Sequence, residues 1–421
     1  MPVSRRTALP RHPFKTAALS ACAAAVCASL ISGCGVIPGT GGAKSPITVM
    51  TWAPDKTKAT NKPGVPAMAQ AFARWANAHG GLDGHELKVI TCNDENDSVA
   101  AADCARRAVD EKVAAVVGSY SQYAGSALSP LEVAGIPYIG GYGITDEEFT
   151  SALSYPVNGG QAALLAGNGR QLARSCARVS LVRPDTIAGD DLPKLLDSGL
   201  AEGRRGKARD IRAPEDGTDF TFQAEQALKH AGSGGCVTAA LGDRTDTFYD
   251  SFRRTEDLYA KPRISSVLGS LDQSLIDRTG GSDSPYEGAY VTGWYPAASD
   301  PRWDQMRSAV REQAFGDNRI DPTDAGVQTT WIAYTVLKQA VESLDGGEVS
   351  ARTLRRAFDH GLRVSTGGLT PTLSWRFEDT IAVGGYPRLI NPDVTFQVVR
   401  EGRLVPVRRG FVNMAKTLER V

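Results

Sequence analysis

The sequence is short of the residues and motifs that most enzymes use for catalysis. It contains only five histidines in 421 residues. The motifs HExxH, GxSxG and GxxxxGK[ST], which mark zinc proteases, serine hydrolases and P-loop proteins, do not occur. The stretch GNGRQLA at 167–173 lacks the third glycine of a dinucleotide-binding loop and begins inside a predicted helix. We therefore predict that the protein is not an enzyme and needs no cofactor.

Signals for nucleic acid, metal ions and repeated membrane spans are missing as well. Basic stripes with interleaved aromatic residues are absent, and 47 basic residues balance 47 acidic ones. The acidic stretch NDEND at 93–97 lacks the spacing of an EF-hand and is interpreted as a solvated turn. After residue 33, no apolar run is close to the length of a membrane span, which is about 20 residues. These absences exclude a nucleic-acid-binding protein and a multi-spanning membrane protein, and they indicate no metal site.

The N-terminus has the layout of a secretory signal peptide. Four basic residues lie before residue 16, no acidic residue precedes Asp55, and an alanine-rich apolar run covers 16–31. The run ends at Ile31-Ser32-Gly33-Cys34, which resembles the lipobox of bacterial lipoproteins. This resemblance implies cleavage before Cys34 and lipids on that cysteine. A plain signal peptide with an accidental cysteine is the alternative, and export by the general or the twin-arginine route stays open.

On this interpretation the mature chain is mildly acidic and begins with a tether. Residues 1–33 form the lipoprotein signal peptide, and the glycine-rich segment 34–45 is a flexible tether. Removal of 1–33 leaves 43 basic residues against 47 acidic ones. The remaining 388 residues are enough for two domains of ordinary size.

Four cysteines remain after Cys34, and an even number in an exported chain favours two disulfides. The simplest pairing joins Cys92 to Cys104 and Cys176 to Cys236. Metal binding is the first alternative, but no CxxC pair and no histidine at ligand spacing supports it. Free buried thiols are the second alternative.

Strands and helices alternate in two similar runs, which predicts an α/β fold with parallel sheets covered on both faces. The predicted strands of the first run are 46–52, 86–92, 112–118 and 136–140, and those of the second are 177–183, 207–213, 236–241 and 263–269. In a sheet of order 2-1-3-4, Cys176 and Cys236 open neighbouring strands, which agrees with their pairing. The tail breaks the rhythm, with predicted helices at 301–315, 325–343 and 350–360, a strand at 373–377 and a hairpin at 395–407.

The stretch 80–150 carries a more specific pattern. In chain order it contains GGLDG before a strand, the turn NDENDS, then VVGSYS, AGIP and finally Thr145-Asp146. This pattern resembles the type I periplasmic binding proteins of the branched-chain amino acid and amide group. The resemblance extends more loosely over 45–411, and the segments 287–295 and 365–380 resemble the second and third crossings between the lobes of that family.

The resemblance implies two doubly wound parallel-sheet lobes that are joined by three crossings and close on a solute. The first lobe would comprise 46–156 and about 293–364, and the second 157–292 and about 365–421. The implied function is an extracytoplasmic receptor, anchored to the cell membrane by lipid on Cys34, that delivers a small polar solute such as an amino acid or amide to an ABC permease. The alternatives are a sensing lipoprotein coupled to a signalling partner, or a surface scaffold with a degenerate cleft.

The resemblance also implies ligand contacts in the loops after the third and fourth strands. In the family, hydroxyl and backbone N–H groups of these loops hold the carboxylate of the ligand. The corresponding positions are Ser121 with Gln122 in the first loop, and Gly143 with Thr145 in the second. Local helix capping is the alternative role for both hydroxyl residues. The second loop is one residue longer than usual in the family, which adds Tyr142 as a candidate wall of the site.

The second lobe departs from the family pattern. Leu271 stands where relatives place an acid for the ammonium group of the ligand, so Asp272 and Asp243 are the candidate acids. This departure weakens the expectation of an α-amino acid. Trp52 and Trp294 are candidates for stacking on a flat or apolar ligand, or for a cation–π contact, and core or hinge packing is the alternative for both.

Overall fold

A computed structural model describes residues 44–256 and 261–421. The predicted signal peptide, Cys34 and nearly all of the predicted tether lie outside the described residues. Within the described residues, no helix combines the length and the apolar character needed to cross a bilayer.

The first sheet has five parallel strands in the order β2-β1-β3-β4-β5. Its strands and the helices between them are β1 Lys44–Trp52, α1 Gly64–Ala78, β2 His85–Cys92, α2 Ser98–Asp110, β3 Ala115–Val117, α3 Ala124–Ala134, β4 Tyr138–Ile139, α4 Glu147–Thr150 and β5 Ser154–Tyr155. Strands β3 and β4 are shorter than the sequence predicted. Strand β3 pairs with β1 at two positions, and β4 pairs with β3 at two positions.

The second sheet is parallel over five strands and then carries antiparallel strands at one side. Its path is β12-β11-β10-β9-β8-β6-β7, and β13 pairs with β11. Its elements and those that follow in the chain are α5 Gly160–Leu172, β6 Val179–Pro184, α6 Leu192–Glu202, β7 Arg209–Ala213, α7 Thr221–Ala231, β8 Cys236–Ala239, α8 Thr245–Glu256, β9 Arg263–Val267, α9 Gln273–Arg278, β10 Tyr290–Gly293, α10 Asp304–Gln313, α11 Ala325–Glu342, α12 Ala351–Asp359, β11 Asp393–Arg400, β12 Arg403–Pro406, β13 Val412–Asn413 and α13 Ala415–Leu418. The order of β7, β6, β8 and β9 is the predicted 2-1-3-4 arrangement.

The chain crosses between the two sheets three times, which confirms the predicted fold class. It leaves the first sheet at 156–159, returns after β10 through 294–303, and reaches β11 through 360–392. Helices α10 and α11 pack on α1, so they belong to the first lobe although they follow the second sheet in sequence. Here "first lobe" means the five-stranded sheet with α1–α4 and α10–α12, and "second lobe" means the other sheet with its helices.

The apolar face predicted for α1 explains its packing on α11. Val65, Met68 and Phe72 recur at spacings of three and four, and all three are buried. The ring of Phe72 lies 5.1 Å from that of Trp331 and 5.2 Å from that of Tyr334, both on α11. This contact places α11, in the last quarter of the chain, in the first lobe.

Both predicted disulfides are present. Cys92–Cys104 joins the end of β2 to α2, and Cys176–Cys236 joins the chain just before β6 to the start of β8. The second pairing is close because β6 and β8 are neighbours, with Val179 beside Cys236. Each lobe therefore contains one covalent link between adjacent elements.

The predicted strand at 373–377 is wrong. Leu373 makes a single bridge to Val364, and a 3-10 turn begins at Phe377. Trp375 explains the difference, because its ring is buried and its Nε1 donates to the carbonyl of Pro156 at 2.8 Å. The segment is therefore held by side-chain contacts to the first crossing rather than by a strand ladder.

Two local predictions concern chain reversals and helix starts. The hairpin is confirmed, with Glu401 and Gly402 at φ 52° and 71° between β11 and β12, the conformation that a tight two-residue reversal requires. From the sequence, the hydroxyl of Ser98 suggests that Ser98 is the N-cap of α2, but the N-cap is Asp97. The Asp97 carboxylate accepts from the backbone N–H groups of Val99 and Ala100, so the helix begins at Ser98 itself.

Candidate ligand-binding site

The carboxyl ends of the strands of both sheets meet at a cleft, as expected for ligand sites in open α/β sheets. The loops after these strands line two adjoining cavities. We call the first, of about 100 Å³, the inner chamber, and the second, of about 410 Å³, the outer chamber. The outer chamber reaches the surface, because its wall includes Ile187, which is 94% exposed. Gln122, Gln161 and Glu215 are polar residues that line both chambers.

Three aromatic rings form one wall of the inner chamber. The ring centroids of Tyr120 and Tyr142 are 4.9 Å apart, and the ring of Tyr142 meets that of Trp294 edge-on at 5.2 Å. Trp294 is fixed because its Nε1 donates to the carbonyl of Gly160 at 2.9 Å. Leu164 and Leu165 on α5 complete an apolar surface. This wall suits a flat or apolar group.

A buried lysine also lines the inner chamber. Lys62 is 8% exposed, and its Nζ lies 2.7 Å from the Asp243 carboxylate and 3.8 Å from that of Asp324. Burial by itself disfavours the ammonium form. Asp324 and Asp243 outweigh that effect and hold the pKa of Lys62 well above its ordinary value. Lys62 is therefore a charged group whose charge is already balanced within the protein.

The loop between β1 and α1, which belongs to the first lobe, contacts the second lobe across the cleft. Besides the Lys62–Asp243 ion pair, the backbone N–H of Asn61 donates to Asp243 at 3.3 Å. Arg244 donates to the carbonyl of Lys58 at 2.7 Å. The two lobes are thus in contact over the inner chamber, and this loop carries much of that contact.

Two further contacts cross the cleft away from this ion pair. Gln122 donates from Nε2 to the Glu215 carboxylate at 2.7 Å and to the Thr60 hydroxyl at 2.9 Å. Tyr142 of the first lobe faces Gly269 of the second so closely that a Cβ at Gly269 would lie 2.1 Å from the tyrosine oxygen. The closed arrangement therefore depends on a glycine at position 269.

A resident carboxylate occupies the backbone N–H groups of the loop after β4. Buried Glu148 accepts from the N–H groups of Gly143 at 2.8 Å, Ile144 at 3.1 Å and Thr145 at 3.4 Å. Burial raises the pKa of Glu148 to about 7, although these hydrogen bonds favour the carboxylate. The three donors that could hold a ligand carboxylate are therefore already in use.

The outer chamber differs in its charge and in its unpaired groups. Among the described residues that line it, the charged ones are Asp146, Glu147, Asp191 and Glu215, and none is basic. Partial desolvation in the cleft, together with the neighbouring acids Asp191 and Glu147, raises the pKa of Asp146, although a hydrogen bond with Tyr386 opposes the shift. The outer chamber therefore presents negative charge to whatever enters it.

Two residues that line the outer chamber each carry a buried side-chain atom with no hydrogen-bond partner within the described chain. These atoms are the Thr145 hydroxyl and the Gln161 amide oxygen, and the Thr145 side chain belongs to a residue only 7% exposed. Buried polar groups are nearly always paired, so these two atoms indicate a site that a bound molecule or water completes.

Comparison with known families decides the class of protein. Residues 57–380 match the family model described as "Periplasmic binding protein". The chain belongs to the periplasmic binding protein family. Members of this family are non-enzymatic solute-binding proteins outside the cytoplasm, so a general solute-binding role for this protein follows.

Solved structures share the fold of this periplasmic binding protein at low sequence identity. A branched-chain amino acid ABC transporter protein from Thermus thermophilus with bound valine is 17% identical, with a TM-score of 0.70 and coverage of 89% of this chain and 98% of that one. A solute-binding protein from Rhodopseudomonas palustris BisB5 in complex with 3,4-dihydroxybenzoic acid is 15% identical, with a TM-score of 0.70 and coverage of 90% and 99%. A fatty acid ABC transporter substrate-binding protein from Thermomonospora curvata is 13% identical, with a TM-score of 0.70 and coverage of 88% and 94%. A search of curated proteins finds no match.

The fold brings most of the predicted ligand residues of this periplasmic binding protein to the chambers. Tyr142, Trp294 and Asp243 line the inner chamber, Gly143 and Thr145 line the outer one, and Gln122 lines both. Their roles as ligand contacts stay predictions. Asp243 carries an additional feature that the sequence did not indicate, namely its ion pair with Lys62.

Three predicted residues lie away from both chambers. The Ser121 hydroxyl accepts from the backbone N–H of Tyr123 at 3.1 Å, which is a local turn contact. Trp52 is fully buried on β1, with its ring 5.9 Å from that of Tyr138. Asp272 caps α9 by accepting from the N–H of Leu275 at 2.8 Å, and burial raises its pKa to about 6. The described geometry gives none of them a place in the chamber walls.

Sequence reasoning missed several residues of the site, above all Lys62, Glu148, Glu215 and Gln161. Lys62 lies in the loop after β1, where a position beside Pro63 at a helix start was the only local signal. Glu148 resembles an ordinary first-turn acid of a short helix. Glu215 and Gln161 stand in segments with no distinctive spacing, so only their approach in space reveals them.

Proposed function

We propose that this protein is an extracytoplasmic receptor that captures a small solute in the cleft and delivers it to an ABC importer. The observation that carries the proposal is the pair of adjoining chambers at the strand ends of both sheets, closed over by contacts between the lobes. In this proposal the first lobe comprises 46–156 and about 293–364, and the second 157–292 and about 365–421. The transport proteins of similar fold support the delivery step as an analogy.

The proposed receptor is held at the membrane by lipid on Cys34. The support is the lipobox-like sequence at 31–34 and the glycine-rich segment that follows it. Cells that express the full chain should incorporate labelled palmitate into it and retain it in the membrane fraction. Cys34→Ala should abolish both, whereas Cys27→Ala, within the predicted signal peptide, should change neither. Equal labelling of both variants would reject the anchor.

Binding is tested by thermal unfolding of the purified protein with a panel of amino acids, amides, amines, sugars and aromatic acids. A solute that binds only the folded state adds about 2.7 kcal/mol of stability at a hundredfold excess over its Kd, which is a readily measured shift. Thr145→Val should reduce the shift, because Thr145 lines the outer chamber, and Thr150→Val on the exposed end of α4 should not. No shift with any class, and no small molecule retained on purification, would reject the receptor and favour the scaffold.

Delivery is tested separately from binding. Cells that lack the protein should lose uptake of the radiolabelled solute found in the panel, and the full chain should restore it. Normal uptake in those cells, together with a solute-dependent change in gene expression, would instead favour the sensing alternative.

A further inference from the structure

The groups in the cleft that could bind an anion already have partners inside the protein. Lys62 is balanced by Asp243 and Asp324, and the N–H groups after β4 are occupied by Glu148. Arg244 donates to the carbonyls of Lys58 and Glu215 at 2.7 and 3.4 Å. A solute carboxylate would have to displace one of these contacts, and a displaced buried charge is expensive.

The groups that remain without partners can accept hydrogen bonds. The Thr145 hydroxyl and the Gln161 amide oxygen are buried and have no partner in the described chain, and both residues line the outer chamber. An amide oxygen only accepts, and a hydroxyl both donates and accepts. A molecule that completes this site must therefore bring N–H or O–H donors.

Charge and aromatic surface in the outer chamber agree with that requirement. Four carboxylates line it without a basic residue among the described lining residues, although Asp191 is paired with Lys194 at 2.7 Å, and Tyr123, Phe149 and Tyr386 also line it. Carboxylates and aromatic faces both attract organic cations. The inner chamber, with its wall of three aromatic rings, suits an uncharged flat or apolar group.

We propose that the solute is an organic cation whose ammonium or guanidinium group lies in the outer chamber, with an apolar or aromatic body in the inner chamber. This inference rests on the proposed receptor function, since it assigns the chemistry of the solute for the same cleft. It differs from the amino acid or amide that the sequence resemblance implied, because the cation needs no carboxylate of its own.

The test compares ligands that share one body and differ in charge. Isothermal titration of the purified full chain would use tyramine as the cation, tyrosine as the zwitterion and 4-hydroxyphenylacetate as the anion, with agmatine and benzyltrimethylammonium as further cations. At least one cation should bind at least ten times more tightly than the tyrosine and 4-hydroxyphenylacetate probes.

The double variant Asp146→Asn with Glu147→Gln should weaken that cation at least tenfold. The control is Asp345→Asn with Glu348→Gln, which removes the same charge from exposed positions outside both chambers and should leave the affinity within twofold. Unchanged far-UV circular dichroism and unfolding midpoint in both variants would show that the loss is local.

The outcomes separate this inference from the receptor function. If an anion or a zwitterion binds and no cation does, the receptor stands and the cationic solute is rejected. If a cation binds equally well to both double variants, the outer chamber does not hold the charge and the inference is also rejected. If no probe binds, and the solute retained on purification is neutral or anionic by native mass spectrometry, the inference fails alone. A protein that binds and retains no solute would reject both.

Discussion

The inner and outer chambers lie against the same strand ends but differ in whether their polar groups have partners within the protein. In the inner chamber, Lys62 is balanced by carboxylates on two elements. In the outer chamber, the Thr145 hydroxyl has no partner and the carboxylates of Asp146 and Glu147 face no basic lining residue among those described. Burial explains the difference between the charged groups, because an unpaired charge is costly in the interior and cheap near water, where Asp146 and Glu147 lie. The Thr145 hydroxyl is itself buried, so its missing partner is not explained in this way. We therefore expect the charged groups of the inner chamber to contribute more to stability than those of the outer chamber.

The largest expected effect is the loss of the inner cation. Lys62→Met leaves the carboxylates of Asp243 and Asp324 without their shared partner, so the free energy of unfolding should fall by about 3 kcal/mol. Urea unfolding at constant pH measures it, with the exposed Lys58→Met as a control that should stay within about 0.5 kcal/mol. Equal stability of the two variants would contradict the structural role of Lys62.

Glu148, which lies under the loop between the chambers, should make stability depend on pH. Its folded pKa of about 7 lies above the ordinary value of 4.5, so the protonated form is favoured by folding. The contribution is complete below about pH 4.5 and is lost as the pH rises through 7. A shift of this size corresponds to roughly 3 kcal/mol between pH 5 and pH 8.

Glu148→Gln should therefore flatten the dependence of the unfolding free energy on pH over this range. The exposed Glu225→Gln on α7 should leave the slope as it is in the unmodified protein. A slope that Glu148→Gln does not change would assign the titration to another buried acid, such as Asp272.

A smaller effect is expected from a change at the contact between the lobes. Gly269 has φ +86°, and a Cβ there would meet the oxygen of Tyr142 at 2.1 Å. Gly269→Ala should hold the cleft open, raise the radius of gyration in X-ray scattering and weaken solute binding at least tenfold, or about 1.4 kcal/mol.

Gly242→Ala separates backbone strain from the clash. Gly242 also has a positive φ, of +53°, but nothing lies within 4 Å of its added Cβ. Tyr142→Phe in the Gly269→Ala background should restore part of the closure, because it removes the clashing oxygen. Equal opening in both alanine variants would mean that strain, and not contact between the lobes, is responsible.

The smallest effect on stability is expected in the outer chamber. Asp146→Asn with Glu147→Gln should change the free energy of unfolding by no more than about 0.5 kcal/mol, because both side chains belong to exposed residues. Chemical unfolding of the double variant beside Lys62→Met would test the comparison directly. A destabilisation as large as that of Lys62→Met would show that the outer acids are structural.

Local patterns predicted the elements well where packing followed them. The spacing of Val65, Met68 and Phe72 indicated α1, and the reversal at Glu401-Gly402 indicated the β11–β12 hairpin. The prediction failed at 373–377, where an alternation that suits a strand is overridden by the burial of Trp375 against the first crossing. A residue pattern indicates local preference only. It cannot predict a contact such as that of Trp375 with Pro156, which lies more than 200 positions away.

The candidate site shows the same division. Strand ends and loop residues such as Thr145 and Tyr142 could be placed near the cleft because the carboxyl edges of parallel strands are predictable. Ser121 could not be judged, since a hydroxyl that binds a ligand and one that closes a turn occur in the same local sequence. The same ambiguity applies to Asp272, because an acid that binds a ligand and one that caps a helix look alike in sequence. In the structure Asp272 caps α9.

By itself the sequence indicated the α/β class with parallel sheets, through the alternation of strands and helices, and the 2-1-3-4 order of four strands in the second sheet. It favoured the cysteine pairing that the structure shows, while the two lobes and their three crossings came from the family resemblance. Tertiary structure alone decided which charges are balanced and which stay free. Lys62 meets Asp243 from 181 positions away, and Glu148 turns back under its own loop to occupy the donors there. Ionic partners are chosen by proximity after folding, and the desolvation that makes them matter exists only once the two lobes have formed the cleft.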